Sequence, residues 1–181
     1  YLLKLLGVHN VHNALAAIAV ASQFKVSSDM VRRALLNFKP AFMRLDPLRV
    51  NGIFIINDSY NSNPASMKTA LDAICAYQAG AKWIVSGDML ELGREAVHFH
   101  RIAGKLIADS AAAGLFTLGK LSKHTLSGAF ASGMEKKNLR HCGTHNEIAD
   151  ILKTVARAGD IVLIKGSRGM KMEKVIERLK G

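Results

Sequence analysis

The spacing of apolar positions changes along this chain. The first part has helical spacing, and the rest alternates between short strand-like runs and helical segments, which predicts the architecture. Residues 10–23 are alanine-rich with apolar positions at helical spacing, which predicts a buried helix. Residues 27–29 offer N-caps for a second helix that ends near Phe38, where Pro40 stops it. After Arg44 the pattern changes to short apolar runs separated by amphipathic segments.

The short apolar runs are rich in β-branched residues and predict buried strands. They cover residues 53–56, 83–85, 115–118, 139–142 and 161–164. The segments between and after them predict helices at about 64–79, 95–112, after Gly119, 144–158 and 170–179. Alternating strands and helices favour an α/β fold: a Rossmann-like, mostly parallel sheet with helices on both faces, preceded here by a short helical segment.

Helix-capping residues support three of these boundaries. Asn63 followed by Pro64 is a good helix start, because Asn caps and Pro in the first turn loses no needed donor. Thr144 and Glu147 have the spacing of a capping box, in which the Glu side chain reaches back to the start of the helix. Gly159 is predicted to end that helix as a left-handed cap.

Three polar loops follow predicted strands, at residues 57–63, 86–93 and 165–169. In open α/β sheets, ligands bind at the carboxyl ends of the strands. The loops are therefore predicted to share one edge of the sheet and to form parts of one site.

Each loop has both a functional and a structural interpretation. Asp58 could accept hydrogen bonds from ribose hydroxyls or orient an amine, but its loop could equally be a helix cap. Asp88 and Glu91 could bind an ammonium group or belong to an ordinary turn. Lys165 and Arg168 add charge to a glycine-containing turn before a helix, which favours a carboxylate or a phosphate.

Motifs of other binding sites are absent from the sequence. It contains neither the Gly-x4-Gly-Lys-Ser/Thr phosphate loop nor a Gly-x-Gly-x-x-Gly fingerprint. The histidine pairs His9/His12 and His98/His100 lack an obvious third ligand, so no metal site is predicted. No apolar run approaches the length of about 20 residues that spans a bilayer.

The formal net charge of +11 favours anionic partners, although it could also lie on solvated helix faces. A basic α/β module that binds nucleic acid is one alternative. That hypothesis predicts exposed aromatic residues for stacking or a basic stripe. The chain has one Trp and three Tyr and no such interleaving, so no nucleic-acid partner is expected.

Several ordered motifs together resemble the Mur ligases, the ATP-dependent amide-forming enzymes of peptidoglycan synthesis. The resemblance rests on residues 7–17 (GVHNVHNALAA), on Arg44, on residues 58–64 (DSYNSNP) with the following Ser-Met, on residues 87–93, and on residues 165–168 (KGSR) with Met172-Glu173. It covers essentially the whole chain. Within the family, these segments look most like the member that adds D-alanyl-D-alanine to UDP-N-acetylmuramoyl-tripeptide through an acyl phosphate.

The resemblance implies roles for particular residues. Asn10 and Asn13 would lie near the adenine of ATP, Arg44 would reach its phosphates, and Asp58 would bind the ribose. Asp88, Ser167 and Arg168 would help to hold the incoming D-alanyl-D-alanine. No catalytic nucleophile is implied, because this chemistry depends on positioning and charge neutralisation. The resemblance also implies a monomeric bacterial enzyme of the cytoplasm, without a membrane span.

The resemblance divides the chain as well. Residues 1–43 would be the terminal helices of the family's central ATPase domain, and residues 44–181 its carboxy-terminal domain. The phosphate loop, the Mg²⁺ ligands and the uridine-nucleotide-binding domain would then precede Tyr1, so we expect no ligation by these 181 residues alone. Two residues depart from the family pattern: Met43 stands where Gly is usual, and Asn57 where Asp is frequent.

The near alternative is another amide ligase of the same superfamily, of the cyanophycin or folyl-polyglutamate synthetase type. The loops at residues 58–64 and 87–93 argue against it.

Overall fold

A computed structural model describes residues 1–39, 41–77 and 80–181 of the chain. The described residues divide into two compact units, residues 1–41 and 42–181. None of the helices described is long and apolar enough to cross a membrane.

The first unit contains the two predicted helices, α1 (Val8–Gln23) and α2 (Ser28–Asn37). The Ser27 side chain caps α2 by accepting a hydrogen bond from the Met30 amide, as predicted. The predicted stop, Pro40, lies outside the described residues. The prediction that α1 is buried is wrong, because none of its residues is buried. Its apolar residues surround the helix, and a single neighbouring helix within the unit can cover only part of them.

The second unit contains six strands and five helices among the described residues. The strands are β1 (Asp46–Val50), β2 (Ile53–Asp58), β3 (Lys82–Gly87), β4 (Gly114–Leu118), β5 (Leu139–Cys142) and β6 (Ile161–Lys165). The helices are α3 (Pro64–Cys75), α4 (Ala96–Asp109), α5 (Ser122–Ala131), α6 (His145–Val155) and α7 (Glu173–Lys180). Short 3-10 turns lie at Gly93–Glu95, Lys136–Asn138 and Arg168–Met170.

The strands form one sheet in the order β1-β2-β6-β3-β4-β5. All neighbouring pairs are parallel except β1 and β2. The predicted α/β fold with a mostly parallel sheet is therefore confirmed. The last strand of the chain, β6, lies between β2 and β3, and this insertion determines which loops meet.

Sequence reasoning missed the antiparallel edge strand β1. The strand is only five residues long and contains Pro47, which an edge strand tolerates because one side of its backbone is unpaired. The available signal was Asn51-Gly52 between Val50 and Ile53, a common two-residue hairpin turn. Both turn residues have positive φ, 50° and 78°, as a type I′ turn requires.

Both faces of the sheet are covered. Alternate strand residues such as Ile55, Val85 and Ile164 share one apolar core with residues of α6 and α7. The intervening residues Ile56 and Ile84 are also fully buried. On the face opposite α6 and α7, α3 packs against β6 and α4, and α4 packs against α5. Side chains of a strand point alternately to opposite faces, so the sheet is the middle layer of three.

Several predicted helix ends shift. The helix α3 is capped by Asn63 with Pro64 in its first turn, as expected, but it ends at Cys75, and Ala79 lies outside the described residues. Helix α7 begins three residues later than predicted, after the 3-10 turn at Arg168–Met170.

Helix α6 also ends earlier than predicted. The Thr144 side chain caps it through the Glu147 amide, as expected, while Glu147 reaches the amide of Gly143 rather than that of Thr144. The helix ends at Val155, so Gly159, although its φ is +92°, is not its cap. The helix stops there because Ala156 adopts an extended conformation.

A buried carboxylate closes the amino-terminal edge of the sheet. Asp160, immediately before β6, accepts hydrogen bonds from the amides of Ala81 (2.8 Å) and Arg157 (2.9 Å) and from the indole Nε1 of Trp83 (3.0 Å). Burial raises the pKa of Asp160, but these hydrogen bonds outweigh burial and lower the pKa below its ordinary value. The carboxylate therefore holds the starts of β3 and β6 together.

Candidate functional site

The three predicted polar loops meet at the carboxyl-terminal edge of the sheet. Asp58, the last residue of β2, is the register partner of Lys165, the last residue of β6. On the other side of β6, Lys165 is the register partner of Ser86 in β3. Adjacent parallel strands lie about 4.8 Å apart. The prediction that the loops share one edge is confirmed, and the loop after β6 lies in the middle.

A buried ion pair joins the first and third loops. Lys165 Nζ lies 2.5 Å from Asp58 Oδ2 and donates a second hydrogen bond to the Asn61 carbonyl at 3.0 Å. The Lys165 side chain is only 1% exposed and that of Asp58 12%. The other carboxylate oxygen of Asp58 accepts a hydrogen bond from the Leu45 amide at 3.1 Å. The pair therefore ties together the ends of two strands and the segment before β1.

Burial lowers the pKa of Lys165, because it disfavours the charged ammonium. The carboxylate of Asp58 opposes this shift, and the nearby positive charge of Arg44 adds to it. Asp58 therefore favours the charged ammonium, whereas burial and Arg44 disfavour it. Sequence reasoning treated Lys165 only as added charge in a loop. A lysine at the end of a strand whose other residues are all apolar was the signal that its side chain could be buried.

Hydrogen bonds with the start of α5 and with a buried histidine fix the second loop. Asp88 Oδ1 accepts a hydrogen bond from the Ser122 amide at the start of α5, at 2.7 Å. The amide of Met89 donates to Nε2 of the buried His100 at 3.0 Å, while Nδ1 of His100 lies 2.7 Å from the Ala96 carbonyl. Nδ1 must carry the proton in this arrangement, since a carbonyl only accepts. Burial lowers the pKa of His100, which favours this neutral form.

Hydrogen bonds also connect the third loop to the other two. The Ser167 amide donates to the Asp88 carbonyl at 3.0 Å, and the Ser167 hydroxyl accepts from the Leu90 amide at 2.8 Å. The same hydroxyl lies 3.5 Å from Asn61 Oδ1. Ser167 is buried, so its hydroxyl fixes the relative positions of the loops at the predicted site.

Two glycines allow the second and third loops to approach closely. A Cβ on Gly166 would lie 2.7 Å from Met172 Cγ and 3.3 Å from Gly87 Cα. A Cβ on Gly87 would lie 2.8 Å from Met172 Sδ. The fully buried Met172 therefore packs against both glycines and sets the distance between the loops.

Arginines extend from this edge toward solvent. The guanidinium of Arg44 lies over the ring of Tyr60, 4.2 Å from its centroid. Arg168 Nη1 donates to Glu173 Oε1 at 2.6 Å and lies 3.5 Å from Met43 Sδ. Both arginines are exposed, so their remaining donors can reach an anion.

Met43 shows why its departure from the family pattern is tolerated. Its φ of +58° lies in the left-handed region, which glycine adopts easily and other residues adopt at a cost. Its side chain is only 4% exposed, and its carbonyl accepts a hydrogen bond from the Tyr60 amide at 3.1 Å. Burial and this hydrogen bond offset the backbone strain, and Arg44 follows directly.

The remaining predicted residues, Asn10 and Asn13, belong to the first unit. Asn10 donates to the Leu6 carbonyl at 2.7 Å, and Asn13 donates to Asn10 Oδ1 at 3.3 Å. Asn57, the second departure, accepts hydrogen bonds from the amide and hydroxyl of Ser59 and so shapes the first loop. Within residues 1–39, 41–77 and 80–181, no group of three His, Cys, Asp or Glu side chains could hold a metal ion.

Comparison with known proteins identifies the family. Residues 43–168 match the domain described as "Mur ligase, glutamate ligase domain". The chain belongs to the Mur ligase family. The match begins at Met43 and ends at Arg168, so it includes all three loops of the sheet edge.

Two relatives with similar sequences carry the same enzyme name. The chain is 36% identical over 181 residues to the UDP-N-acetylmuramoyl-tripeptide–D-alanyl-D-alanine ligase of Bacillus subtilis, covering 99% of this chain and 39% of that protein. It is 32% identical to the enzyme of the same name from Escherichia coli, covering 98% of this chain and 38% of that protein. The chain thus spans about two fifths of the length of these Mur ligases.

Solved structures of Mur ligases agree. The structure of MurF from Acinetobacter baumannii superposes with a TM-score of 0.87 at 28% identity, over 99% of this chain and 39% of that one. The MurF ligase of Thermotoga maritima, solved in complex with ADP, superposes with a TM-score of 0.83 over 97% of this chain and 39% of that one. Its identity is 23%, so this second likeness shows the fold alone.

Proposed function

We propose that this chain supplies the carboxyl-edge loops of an ATP-dependent ligase that joins D-alanyl-D-alanine to UDP-N-acetylmuramoyl-tripeptide. One observation carries the proposal: the loops after β2, β6 and β3 converge around the buried Asp58–Lys165 pair, with Arg44 and Arg168 exposed beside it. The similarity to ligases of this name, 36% and 32% identical over nearly the whole chain, supports the choice of substrates.

Asp58 is suited to bind the ribose of ATP. Each of its carboxylate oxygens accepts one hydrogen bond from the protein, and each has a second lone pair for a hydroxyl donor. Arg44, held over Tyr60, would bind the phosphates, and Asn10 and Asn13 would contact the adenine. A relative of the same fold was solved with ADP, which supports a nucleotide in this family.

Arg168 is suited to bind the carboxylate of the dipeptide, because a guanidinium can form two parallel hydrogen bonds with a carboxylate. Ser167 and Asp88 support it by fixing the loops, since the Ser167 amide bonds the Asp88 carbonyl and the Asp88 carboxylate anchors the start of α5. In the proposed reaction, the tripeptide carboxylate attacks the γ-phosphorus of ATP and ADP leaves. The dipeptide amine then attacks the acyl carbon, loses a proton and releases phosphate.

In this reaction the described side chains bind and orient the reactants. Mg²⁺ would neutralise phosphate charge, and we propose that its ligands, like the phosphate loop, belong to other domains of the enzyme. We further propose that the enzyme acts in the bacterial cytoplasm as a monomer. Residues 1–43 and 44–181 would belong to its central and carboxy-terminal domains.

Steady-state kinetics of the complete gene product test the proposal. Phosphate release should require ATP, the UDP-linked tripeptide and D-alanyl-D-alanine together. Asp58→Ala should raise the KM for ATP, and Arg168→Ala the KM for the dipeptide, each by about tenfold or more, because each removes a charge-assisted hydrogen bond. The exposed Asp72→Ala and Arg178→Ala are matched controls.

Two results would contradict the proposal at different levels. Unchanged kinetics in both site variants would refute the residue roles. Release of phosphate that depends on a folate and glutamate instead of the dipeptide would place the enzyme with the folyl-polyglutamate synthetases, whose structures share this fold at 15% identity.

A further inference from the structure

Arg168 is exposed to solvent, yet its guanidinium is held in one place. Its side chain is 54% exposed, and Nη1 lies 2.6 Å from Glu173 Oε1. A long arginine side chain loses about 2 kcal/mol of rotamer entropy when it is immobilised. A partner that immobilises Arg168 before the ligand arrives removes part of that cost from binding.

Glu173 is an unusual partner for a surface arginine, because most of its side chain is covered by the protein. Its side chain is 13% exposed, and its second oxygen, Oε2, is buried with no hydrogen-bond partner among the described residues. A buried carboxylate oxygen without a partner costs stability. A residue that only stabilised the fold would be expected to use both oxygens, as Asp160 does.

We infer that Glu173 is a positioning residue, which orients Arg168 for the terminal carboxylate of the incoming dipeptide. The inference rests on the proposed function. Glu173 engages only Nη1 of the guanidinium, so the Nη2 and Nε donors remain for a bidentate contact with a carboxylate.

The backbone of Glu173 is anchored to the site. Its neighbour Met172 packs against Gly87 and Gly166, in the second and third loops. On the other side of Arg168, Met43 Sδ lies 3.5 Å from Nη1, and the Met43 carbonyl bonds the Tyr60 amide. Arg168 is therefore held between the start of α7 and the segment that carries Arg44.

A double-mutant cycle in the complete gene product tests the inference. The variants are Glu173→Ala, Arg168→Ala and the double variant. The substrates are D-alanyl-D-alanine and D-alanyl-D-alaninamide, which lacks the terminal carboxylate. Glu173→Ala should raise the KM for D-alanyl-D-alanine about tenfold, with a much smaller change in kcat, since it loosens one charge-assisted contact. The KM for the amide and for ATP should stay within about twofold.

The double variant should bind D-alanyl-D-alanine no worse than Arg168→Ala alone, because Glu173 acts through Arg168. Glu173→Asp should recover part of the loss. Glu177→Ala, an exposed glutamate one turn further along α7, is the matched control and should match the wild type.

The contrary outcomes distinguish a failure of the positioning role from a failure of the proposed function. Additive losses in the double variant, or an equal rise in the KM for every substrate together with a lower Tm, would overturn the positioning role and leave the proposed function intact. If Glu173→Ala does not fold, Glu173→Gln decides: a rise of about threefold in the dipeptide KM supports the role, and an unchanged KM overturns it. A wild type that releases no phosphate with the dipeptide overturns the proposed function, and the inference with it.

Discussion

A buried charged residue lies at each end of β6, Asp160 just before the strand and Lys165 as its last residue. The first environment favours the charged form of its residue, and the second disfavours it. At the amino-terminal end, Asp160 receives three hydrogen bonds, and its lowered pKa means that the charged form is favoured. At the carboxyl-terminal end, the lowered pKa of Lys165 means that the charged form is disfavoured, and Asp58 only partly compensates. At the amino-terminal end, Asp160 joins the starts of two strands. At the carboxyl-terminal end, Asp58 keeps lone pairs for a ligand beside the three loops.

The two carboxylates, Asp160 and Asp58, differ in how much of their hydrogen-bonding capacity the fold already uses. Asp160 uses three of its four carboxylate lone pairs for hydrogen bonds from main-chain amides and an indole, at the edge of the sheet opposite the three loops. Asp58 uses two of its four, and it lies beside exposed arginines at the edge where the loops meet. This agrees with the general position of ligands at the carboxyl ends of parallel strands.

The largest expected effect is at the carboxyl-terminal end. Lys165→Met should lower the free energy of unfolding by about 3–5 kcal/mol, because it leaves the carboxylate of Asp58 buried without its counter-ion. Urea unfolding of the 181-residue chain measures the change. Adding Asp58→Asn should restore part of the loss, since the unpaired charge is then gone.

The exposed Lys153→Met on α6 is the matched control, with an expected change within about 0.5 kcal/mol. A loss for Lys165→Met no larger than that of this control would show that the pair contributes nothing to stability.

The next effect is at the amino-terminal end. Asp160→Ala should lower the free energy of unfolding by about 2–4 kcal/mol, because three partly buried hydrogen bonds lose their common acceptor. The KM for ATP in the complete gene product should not change, which distinguishes this end from Asp58. The exposed Asp150→Ala is the matched control.

The effect of Asp160→Ala should also depend on pH. Because the folded-state pKa of Asp160 is lowered, its contribution is fully present above the ordinary carboxyl pKa of about 4 and is lost as pH falls through the folded value. The difference between wild type and variant should therefore shrink only in acid. A difference that stays constant down to about pH 2 would contradict the lowered pKa.

The smallest effect tests the close approach of the loops. Gly166→Ala should lower the free energy of unfolding, measured in urea, by about 1–3 kcal/mol, since its Cβ would lie 2.7 Å from Met172 Cγ. Combining it with Met172→Ala should cost less than the sum of the single changes, because the clash is relieved. Gly143→Ala, with only one side-chain oxygen 3.8 Å away, is the control; strict additivity would argue against contact.

Much of the fold was predictable because local patterns encode it. The apolar runs of β2, β3 and β6 and the caps at Asn63 and Thr144 were identified from sequence, and so was the shared edge of the three loops. The strand β1 was missed because a five-residue strand with a proline has almost no periodicity. The burial of α1 was overestimated because composition does not reveal how much covering surface its unit provides.

The site was less predictable, because it depends on contacts between distant segments. Nothing near Lys165 in sequence indicates its pairing with Asp58, and nothing near Met89 indicates that His100 accepts its amide. The hold of Glu173 on Arg168 depends on a 3-10 turn that places them side by side. The roles of Asn10, Asn13, Arg44, Asp58, Asp88, Ser167 and Arg168 stay predictions until ligands are measured.

The insertion of β6 between β2 and β3 also orders events during folding. Asp58 and Lys165 are 107 positions apart, so a chain emerging from the ribosome has completed β2 through β5 before the partner of Asp58 exists. Until β6 is synthesised, β2 and β3 lack the strand that lies between them in the finished sheet. Its pairing requires contacts of long sequence separation, which form slowly. The pairings of β6 with β2 and β3, and the Asp58–Lys165 pair with them, can therefore form only after the other five strands have been synthesised.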